Sequence, residues 1–297
     1  MPRRALSALA LLAAAAGIAA CGESSDGGGG VAVLSPRALA SVADKTTATG
    51  GLHMTLDQTM TIPGEGTIPT HAEGSFDTRA RRGEMTTTTD LSSVAGAGGL
   101  GAAASEQHVI LDGLTFYMTS PVLTESFPAG KKWLKLDIGK LGKQAGIDFG
   151  ALTQSGQDPT QALQYLRAAS GDIVKVGAET VRGEPTTHYR ATIDFDKVAD
   201  AAPADQRAAI RRSIRQIVRL AGTSRAPMEV WIGADGLARR LTDRITTKIA
   251  GRRSTITQRI ELYDFGAKVD VQIPRASETL DAANLGAALA GALGTPG

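Results

Sequence analysis

The feature that most constrains the fold is an alternation of apolar and polar side chains between residues 52 and 62. Its apolar members share one face and are Leu52, Met54, Leu56, Met60 and Ile62. Its polar members share the other face and are His53, Thr55, Asp57, Thr59 and Thr61. Because side chains of a β-strand point to opposite faces in turn, this pattern predicts a strand with one covered and one wet face.

Further segments with strand character follow at short spacing. They are residues 71–77, 84–90, 107–111, 115–119, 131–136, 173–181, 186–195, 228–232, 237–249, 254–264 and 269–273. Tight turns join several of them, at Asp112-Gly113, Arg182-Gly183-Glu184 and Ala234-Asp235-Gly236. Strands connected by tight turns predict an antiparallel meander and not βαβ units.

Four segments have helical patterns, and two of them interrupt the run of strands. Ser35-Pro36 is typical of a helix start and predicts a helix to about Asp44. A second helix begins at Asp158-Pro159 and a third spans about 204–221, with an Ala/Leu-rich tail helix at 279–293. The apolar residues on the second and third helices are Leu163, Leu166, Ile210, Ile214, Ile217 and Val218. The arginines of the third helix fit its solvated face, with contact to anionic headgroups or a ligand phosphate as the alternative.

These elements predict the α+β class. One long meander exceeds what a flat open sheet tolerates, so the antiparallel sheet should curve strongly into a half-barrel. We expect two or three helices to cover its concave face.

The N-terminus predicts export. Arg3 and Arg4 precede an apolar run that ends at Ala20, which is typical of a secretory signal peptide over residues 1–20. The closing residues 18–21 resemble the lipobox of bacterial lipoproteins, which implies a diacylglycerol and acyl anchor on Cys21. An ordinary signal peptide with an incidental cysteine is the alternative. It is disfavoured because Cys21 is the one cysteine of the chain and lies at the expected cleavage point.

Residues 21–34 predict a flexible, lipidated tether, because the sequence GESSDGGGG that follows Cys21 cannot build a core. We expect residues 35–297 to fold as one domain. A single cysteine excludes an intrachain disulfide, so the core alone must hold this domain together. The predicted location is extracytoplasmic, on a membrane surface.

Composition excludes several functions. Loss of Arg3 and Arg4 with the signal peptide takes the formal charge of +2 to about zero, which gives no argument for nucleic acid. Aromatic residues make up 4% of the chain, too few for a platform that stacks bases or sugars. No protein partner is identifiable from the sequence.

No motif indicates catalysis, a metal or a cofactor. Residues 96–101 fit GxGxxG formally, but a Thr-rich run precedes them where a dinucleotide site needs a buried strand. We interpret residues 96–104 as a flexible insertion. The histidines occur singly, without zinc-ligand spacing, and no GxSxG elbow is present. We therefore predict that the protein is not an enzyme.

A family resemblance runs through residues 35–275. Its motifs are Lys132-Trp133-Leu134, Asp158-Pro159, residues 176–183 (VGAETVRG), Thr187-His188-Tyr189, Ile193-Asp194, Val230-Trp231-Ile232 and residues 236–240 (GLARR). In order and spacing these resemble actinobacterial lipoproteins of the LprG/LppX type, related in fold to LolA and LolB. The resemblance implies a half-barrel whose concave face forms a hydrophobic cavity for an acylated lipid or glycolipid.

Several apolar residues are candidates to line such a cavity. They are Met54, Leu56, Met60, Phe116, Met118, Leu163, Leu166, Ile210, Ile214, Ile217 and Met228. The pattern alone does not distinguish a hollow interior from a packed core. A packed core would favour the alternative function of an anchored scaffold or sensor without lipid cargo.

Overall fold

The computed structural model describes residues 33–93, 105–125, 127–137, 139–140, 163, 166, 169–200, 207–249 and 252–282. The signal peptide, Cys21, the tether, the insertion at 96–104 and the tail beyond residue 282 lie outside these residues. The helix predicted to begin at Asp158-Pro159 is described at Leu163 and Leu166, both helical and buried.

Four helices have described bounds. They are α1 (Pro36–Thr47), α2 (Pro121–Glu125), α3 (Phe195–Asp200) and α4 (Arg207–Ala221). The predicted start of α1 is confirmed: the Ser35 hydroxyl accepts a hydrogen bond from the Ala38 amide at 3.1 Å, and Pro36 occupies the first turn. The third predicted helix is confirmed by α4.

Thirteen strands form the sheet of the described residues. They are β1 (Val33–Leu34), β2 (Gly51–Ile62), β3 (Gly66–Asp77), β4 (Arg82–Thr89), β5 (Ser105–Asp112), β6 (Thr115–Thr119), β7 (Trp133–Asp137), β8 (Ala169–Val181), β9 (Glu184–Asp194), β10 (Arg225–Gly233), β11 (Ala238–Ile249), β12 (Arg252–Tyr263) and β13 (Thr279–Asp281).

The sheet is unclosed and curved, which confirms the predicted α+β half-barrel. Its order is β1-β8-β9-β10-β11-β12-β2-β3-β4-β5-β6-β7-β13. The predicted single meander is therefore wrong: there are two meanders, β2–β7 and β8–β12, joined where β12 pairs with β2. Short turns join some of the neighbours within each meander, such as β2–β3, β5–β6 and β8–β9, whereas the pairing of β12 with β2 leaves no local signal.

Two sequence predictions near the C-terminus are also wrong. Residues 269–273 form irregular chain and not a strand, although Val271 is buried. Short apolar alternation shows that one side is covered but does not supply a partner strand. Thr279–Asp281 form a strand parallel to β7 where a helix was predicted to start. Pairing with a free sheet edge overrides the helical preference of this short segment.

The core lies between the helices and the β8–β12 half of the sheet. Leu39 and Ala43 of α1 are fully buried in one cluster with Ile214 of α4. A buried threonine ties α1 to the sheet, because the Ala238 amide of β11 donates to the Thr46 hydroxyl at 3.0 Å. The covered face is therefore fixed by contacts between α1, α4 and this half of the sheet.

Candidate functional site

One face of the sheet carries the apolar members of β2 and lies against α1 and α4. Leu52 and Met54 of β2 share the buried cluster with helix residues, and Leu56 packs against that cluster. We call this side of the sheet the inner face and the opposite side the outer face. Strand alternation and the register of the strand pairs assign each strand residue to one of the two faces.

An apolar row crosses the inner face over eight neighbouring strands. Its members, in register from β12 to β13, are Leu262, Met54, Gly74, Met85, Val109, Met118, Leu134 and Leu280. Leu262 and Met54 are buried, whereas the five side chains from Met85 onward are half-buried. The row is therefore packed near the helices and partly open over the β4–β7 half.

The structure divides the predicted lining residues into two groups. Those in the packed core are Met54, Leu163, Leu166, Ile214 and Met228. Those elsewhere on the inner face are Phe116, which is buried, and Leu56, Met60 and Met118, which are half-buried. Ile210 and Ile217 belong to α4, but their side chains lie outside the described part of the structure. Among the described side chains, the half-buried part of the inner face is thus built from strand residues.

A polar row, which the sequence analysis missed, runs beside these apolar residues. Its members, in register from β11 to β5, are Asp243, Gln258, Gln58, Thr70, Thr89 and Ser105. All six side chains are half-buried. The signal was present in β2, where Gln58 stands between Leu56 and Met60 and interrupts the apolar alternation.

A second network lies on the outer face and centres on Trp231. The Trp231 indole N–H donates to Glu179 Oε2 at 2.8 Å, and the His188 ring stacks on the indole at 4.1 Å between centroids. His188 Nδ1 donates to Glu179 Oε1 at 2.8 Å, since an ionised carboxylate only accepts. The hydrogen bond from Trp231 is the largest cause of a lowered pKa at Glu179.

The network continues across the neighbouring strands. The Arg240 guanidinium lies 5.2 Å from the Trp231 ring centroid and donates from Nη2 to Glu261 Oε1 at 2.7 Å. Arg182 donates to the other oxygen of Glu261 at 2.9 Å. Four of the motifs that carried the family resemblance therefore meet here, at residues 176–183, 187–189, 230–232 and 236–240. Their alternate residues Val230, Ile232 and Ala238 belong to the buried cluster, so these motifs build both the outer-face network and part of the packed core.

Replacement of Trp231 by Phe should raise the pKa of Glu179 toward its ordinary value. Phe keeps an aromatic ring beside His188 but removes the indole N–H that stabilises the ionised carboxylate. The measurement is a carboxyl ¹³C NMR titration of Glu179. Trp133→Phe is the matched control, because Trp133 contacts His108 and not Glu179. An unchanged Glu179 titration in the Trp231 variant would contradict the assigned cause.

The arginines of α4 face away from the core. Ile214 is buried, whereas Arg211, Arg212, Arg215 and Arg219 are exposed. Arg211 forms an ion pair with Asp200 of α3 at 2.7 Å. The exposure agrees with the interpretation of these arginines as the solvated face of an amphipathic helix.

A cavity of about 870 Å³ opens at the end of α1, between the β8–β9 and β10–β11 turns and the chain after β12. Val181, Leu237 and Leu262 give it an apolar part. Its arginines are already engaged: Arg239 pairs with Asp235 at 2.7 Å, and Arg182 covers the Tyr263 ring at 3.8 Å. None of the predicted lining residues contributes to this cavity.

Two absences apply to the described ranges. Within them, no three His, Cys, Asp or Glu side chains are grouped so as to hold a metal ion. None of the described helices combines the length and apolar character needed to cross a lipid bilayer.

Comparison with known proteins gives two curated relatives from Streptomyces. An uncharacterized 31.2 kDa protein of Streptomyces griseus is 31% identical over 157 residues, covering 51% of this chain and 48% of the relative. A protein of Streptomyces coelicolor named "Putative lipoprotein" is 27% identical over 157 residues, covering 51% of this chain and 43% of the relative. The predicted resemblance to actinobacterial lipoproteins is confirmed. The chain spans about half the length of these two relatives.

Comparison with solved structures gives two mycobacterial proteins of low sequence identity. The alignment with LprF of Mycobacterium bovis covers 82% of this chain and 100% of LprF, with 13% sequence identity and a TM-score of 0.43. The alignment with the lipoprotein LppX of Mycobacterium tuberculosis covers 80% of this chain and 100% of LppX, with 13% sequence identity and a TM-score of 0.39. No protein-family model matches the chain.

Proposed function

We propose that this protein is an extracytoplasmic lipoprotein, anchored through lipid on Cys21, that binds the acyl chains of a lipid or glycolipid on the inner face of its sheet. The observation that carries the proposal is the apolar row, which is half-buried from Met85 to Leu280. Partly open apolar surface of this extent is typical of a ligand-binding groove. Binding requires no catalytic residue, metal or cofactor.

The dimensions and energies suit an acyl chain. The half-buried part of the row, from Met85 to Leu280, crosses five strands about 4.8 Å apart, which gives it a length of about 19 Å, somewhat beyond the roughly 15 Å of one bilayer leaflet's hydrocarbon. Each methylene removed from water contributes about 0.8 kcal/mol, so a chain of sixteen carbons offers on the order of 10 kcal/mol before ordering costs. Met85 and Met118 suit this surface, because flexible thioether side chains adapt to the shape of the ligand.

Native mass spectrometry tests lipid binding. The mature chain carrying Cys21→Ser, purified without detergent extraction and incubated with envelope lipids, should retain a lipid adduct. We expect the double substitution Met85→Gln and Met118→Gln to reduce this adduct at least ten-fold, because each amide puts unpaired polar atoms against the acyl chain. The matched control is Thr86→Gln with Thr119→Gln, which alters the outer face of the same strands. The proposal would be contradicted if the parent chain showed no lipid adduct, or if both double variants lost the adduct equally.

Anchoring is tested separately in cells. The wild-type chain should incorporate labelled palmitate and sediment with membranes, whereas the Cys21→Ser chain should do neither. Incorporation of label by the Cys21→Ser chain would contradict attachment at this residue. This outcome would leave the inner-face binding experiment unaffected.

The packed core beneath α1 and α4 favours a second candidate, an anchored scaffold or sensor that carries no lipid. Five predicted lining residues, among them Met54, Leu163 and Met228, are less than 7% exposed there. This candidate predicts a native mass spectrum without a lipid adduct. It also predicts that crosslinking in the envelope recovers a protein partner.

A further inference from the structure

Helix α4 carries charge of one sign. Its 15 residues include five arginines and neither aspartate nor glutamate. All five arginines are exposed, and they are Arg207, Arg211, Arg212, Arg215 and Arg219. Because the chain without its signal peptide is close to neutral, this helix is a strong local concentration of positive charge.

The arginines share one side of the helix. Four of them repeat at a spacing of four residues, and Arg212 lies beside this line. At about 100° and 1.5 Å per residue, the set spans an arc of about 140° and a length of about 18 Å. Ile214, outside that arc, is buried in the core cluster. We call this exposed basic side of α4 the arginine face.

Ion pairs compensate only part of the charge. Arg211 pairs with Asp200 of α3 at 2.7 Å. Within the described ranges, Arg212, Arg215 and Arg219 form no ion pair. Arginines three and four residues apart on a helix are neighbours and repel one another, at distances shorter than the Debye length of about 8 Å. Because an anion that binds here relieves this repulsion, the arginine face favours an anionic partner.

An anionic phospholipid surface fits the arginine face. A guanidinium binds a phosphate group through two parallel N–H donors, and a row of them can contact several headgroups at once. The sequence of α4 contains no aromatic residue on which a nucleic-acid base could stack. Its buried Ile214 is committed to the core, so the contact uses headgroups and not insertion into the hydrocarbon.

We infer that the arginine face of α4 is an electrostatic membrane contact that binds the headgroups of anionic phospholipids. This contact goes beyond the proposed function, since it concerns the membrane surface and not a lipid held on the inner face. It rests on the proposed anchor at Cys21 only for bringing the domain to a membrane. The contact itself is therefore testable on a chain without the anchor.

Vesicle sedimentation tests the contact. The mature chain carrying Cys21→Ser is mixed with vesicles of phosphatidylcholine alone, or of phosphatidylcholine and phosphatidylglycerol in equal parts. We expect about ten-fold tighter binding to the anionic vesicles, and a loss of this difference as NaCl is raised from about 50 to about 200 mM. Equal binding to both kinds of vesicle at low salt, or no binding to either, would overturn the inference.

A triple variant assigns the binding to α4. Neutralising three unpaired arginines should weaken binding to anionic vesicles about 100-fold, because each arginine at such a surface contributes about five-fold. The changes are Arg212→Gln, Arg215→Gln and Arg219→Gln. The matched control removes three charges from exposed positions on the outer face, through Arg244→Gln, Arg253→Gln and Arg259→Gln. Equal loss in the two triple variants would show a response to net charge alone and would contradict the assignment.

A fluorescent label provides a measurement that leaves every arginine in place. In the Cys21→Ser chain, Ala208→Cys puts a single thiol on α4, and Thr257→Cys puts one on the outer face. An environment-sensitive dye at position 208 should brighten with anionic vesicles, whereas the same dye at 257 should not. A response at 257 alone would overturn the inference.

Soluble polyphosphate separates a membrane from polyanions in general. Binding of polyphosphate as tight, per phosphate, as binding of anionic vesicles would overturn the membrane assignment. None of these outcomes affects the proposed acyl binding on the inner face, because native mass spectrometry with envelope lipids tests that proposal on a different ligand.

Discussion

Replacement of Trp231 by Ala should lower the free energy of unfolding by about 4 kcal/mol, within the range for loss of a buried aromatic side chain. Trp231 is 6% exposed and lies between the His188 ring and the Arg240 guanidinium. Its removal leaves a cavity at the centre of the outer-face network. It also deprives Glu179 of a hydrogen-bond donor and exposes the His188 ring.

Urea unfolding followed by far-UV circular dichroism measures this loss. Two controls separate the loss of ring volume at Trp231 from the loss of its hydrogen bond and from the general effect of removing a tryptophan. Trp231→Phe keeps most of the ring volume and should cost less than half as much, and Trp133→Ala removes the same side chain from a half-buried position on β7. A loss below about 1 kcal/mol for Trp231→Ala, the size of one net hydrogen bond, would show that the network does not stabilise the sheet.

Replacement of Asp243 by Asn should raise stability at pH 7 by about 2–3 kcal/mol. The pKa of Asp243 is raised from 3.8 to about 6 by burial, which corresponds to about 3 kcal/mol against the charged form. The folded protein therefore binds the proton more tightly than the unfolded chain. The contribution of the protonated group is complete below about pH 4 and is lost as the pH rises through 6.

The measurement is the free energy of unfolding as a function of pH, because the effect of Asp243→Asn depends on pH. Wild-type stability should fall between pH 4 and pH 7 relative to Asp243→Asn, and the two proteins should converge at pH 4. Asp270→Asn, at an exposed position, is the control and should follow wild type throughout. Parallel profiles for wild type and Asp243→Asn would mean that the carboxylate is hydrated in the folded state.

Local patterns predicted the elements well. The alternation at residues 52–62 located β2 to within one residue, and Ser35-Pro36 located the start of α1. The pairing of β12 with β2 was not predictable, because it joins residues almost 200 positions apart and leaves no turn between them. Residues 269–273 were predicted as a strand but form irregular chain. Alternation indicates a covered side without specifying a hydrogen-bonding partner.

The candidate site was predicted only in part. The alternation at residues 52–62 predicted the face of the sheet on which Leu56 lies, and Leu56 packs against the buried cluster. The polar row was missed because only one member, Gln58, interrupts a clear pattern, and Asp243 and Gln258 become its neighbours only through the pairing of β11, β12 and β2. The resemblance motifs contain no member of the polar row, and Leu134 is their one member in the apolar row. The motifs therefore indicate the framework and carry little information on the ligand.

The pairing of β12 with β2 also has a consequence for the order of folding. A chain made from its N-terminus forms the β2–β7 meander early, yet one long edge of β2 has no partner until residues 252–263 have emerged. During that interval an unpaired strand with an apolar face is exposed, the kind of edge that promotes intermolecular strand addition. Substitutions that slow completion of β12 should therefore act first on the yield of folded protein, before any effect on the stability of the finished molecule.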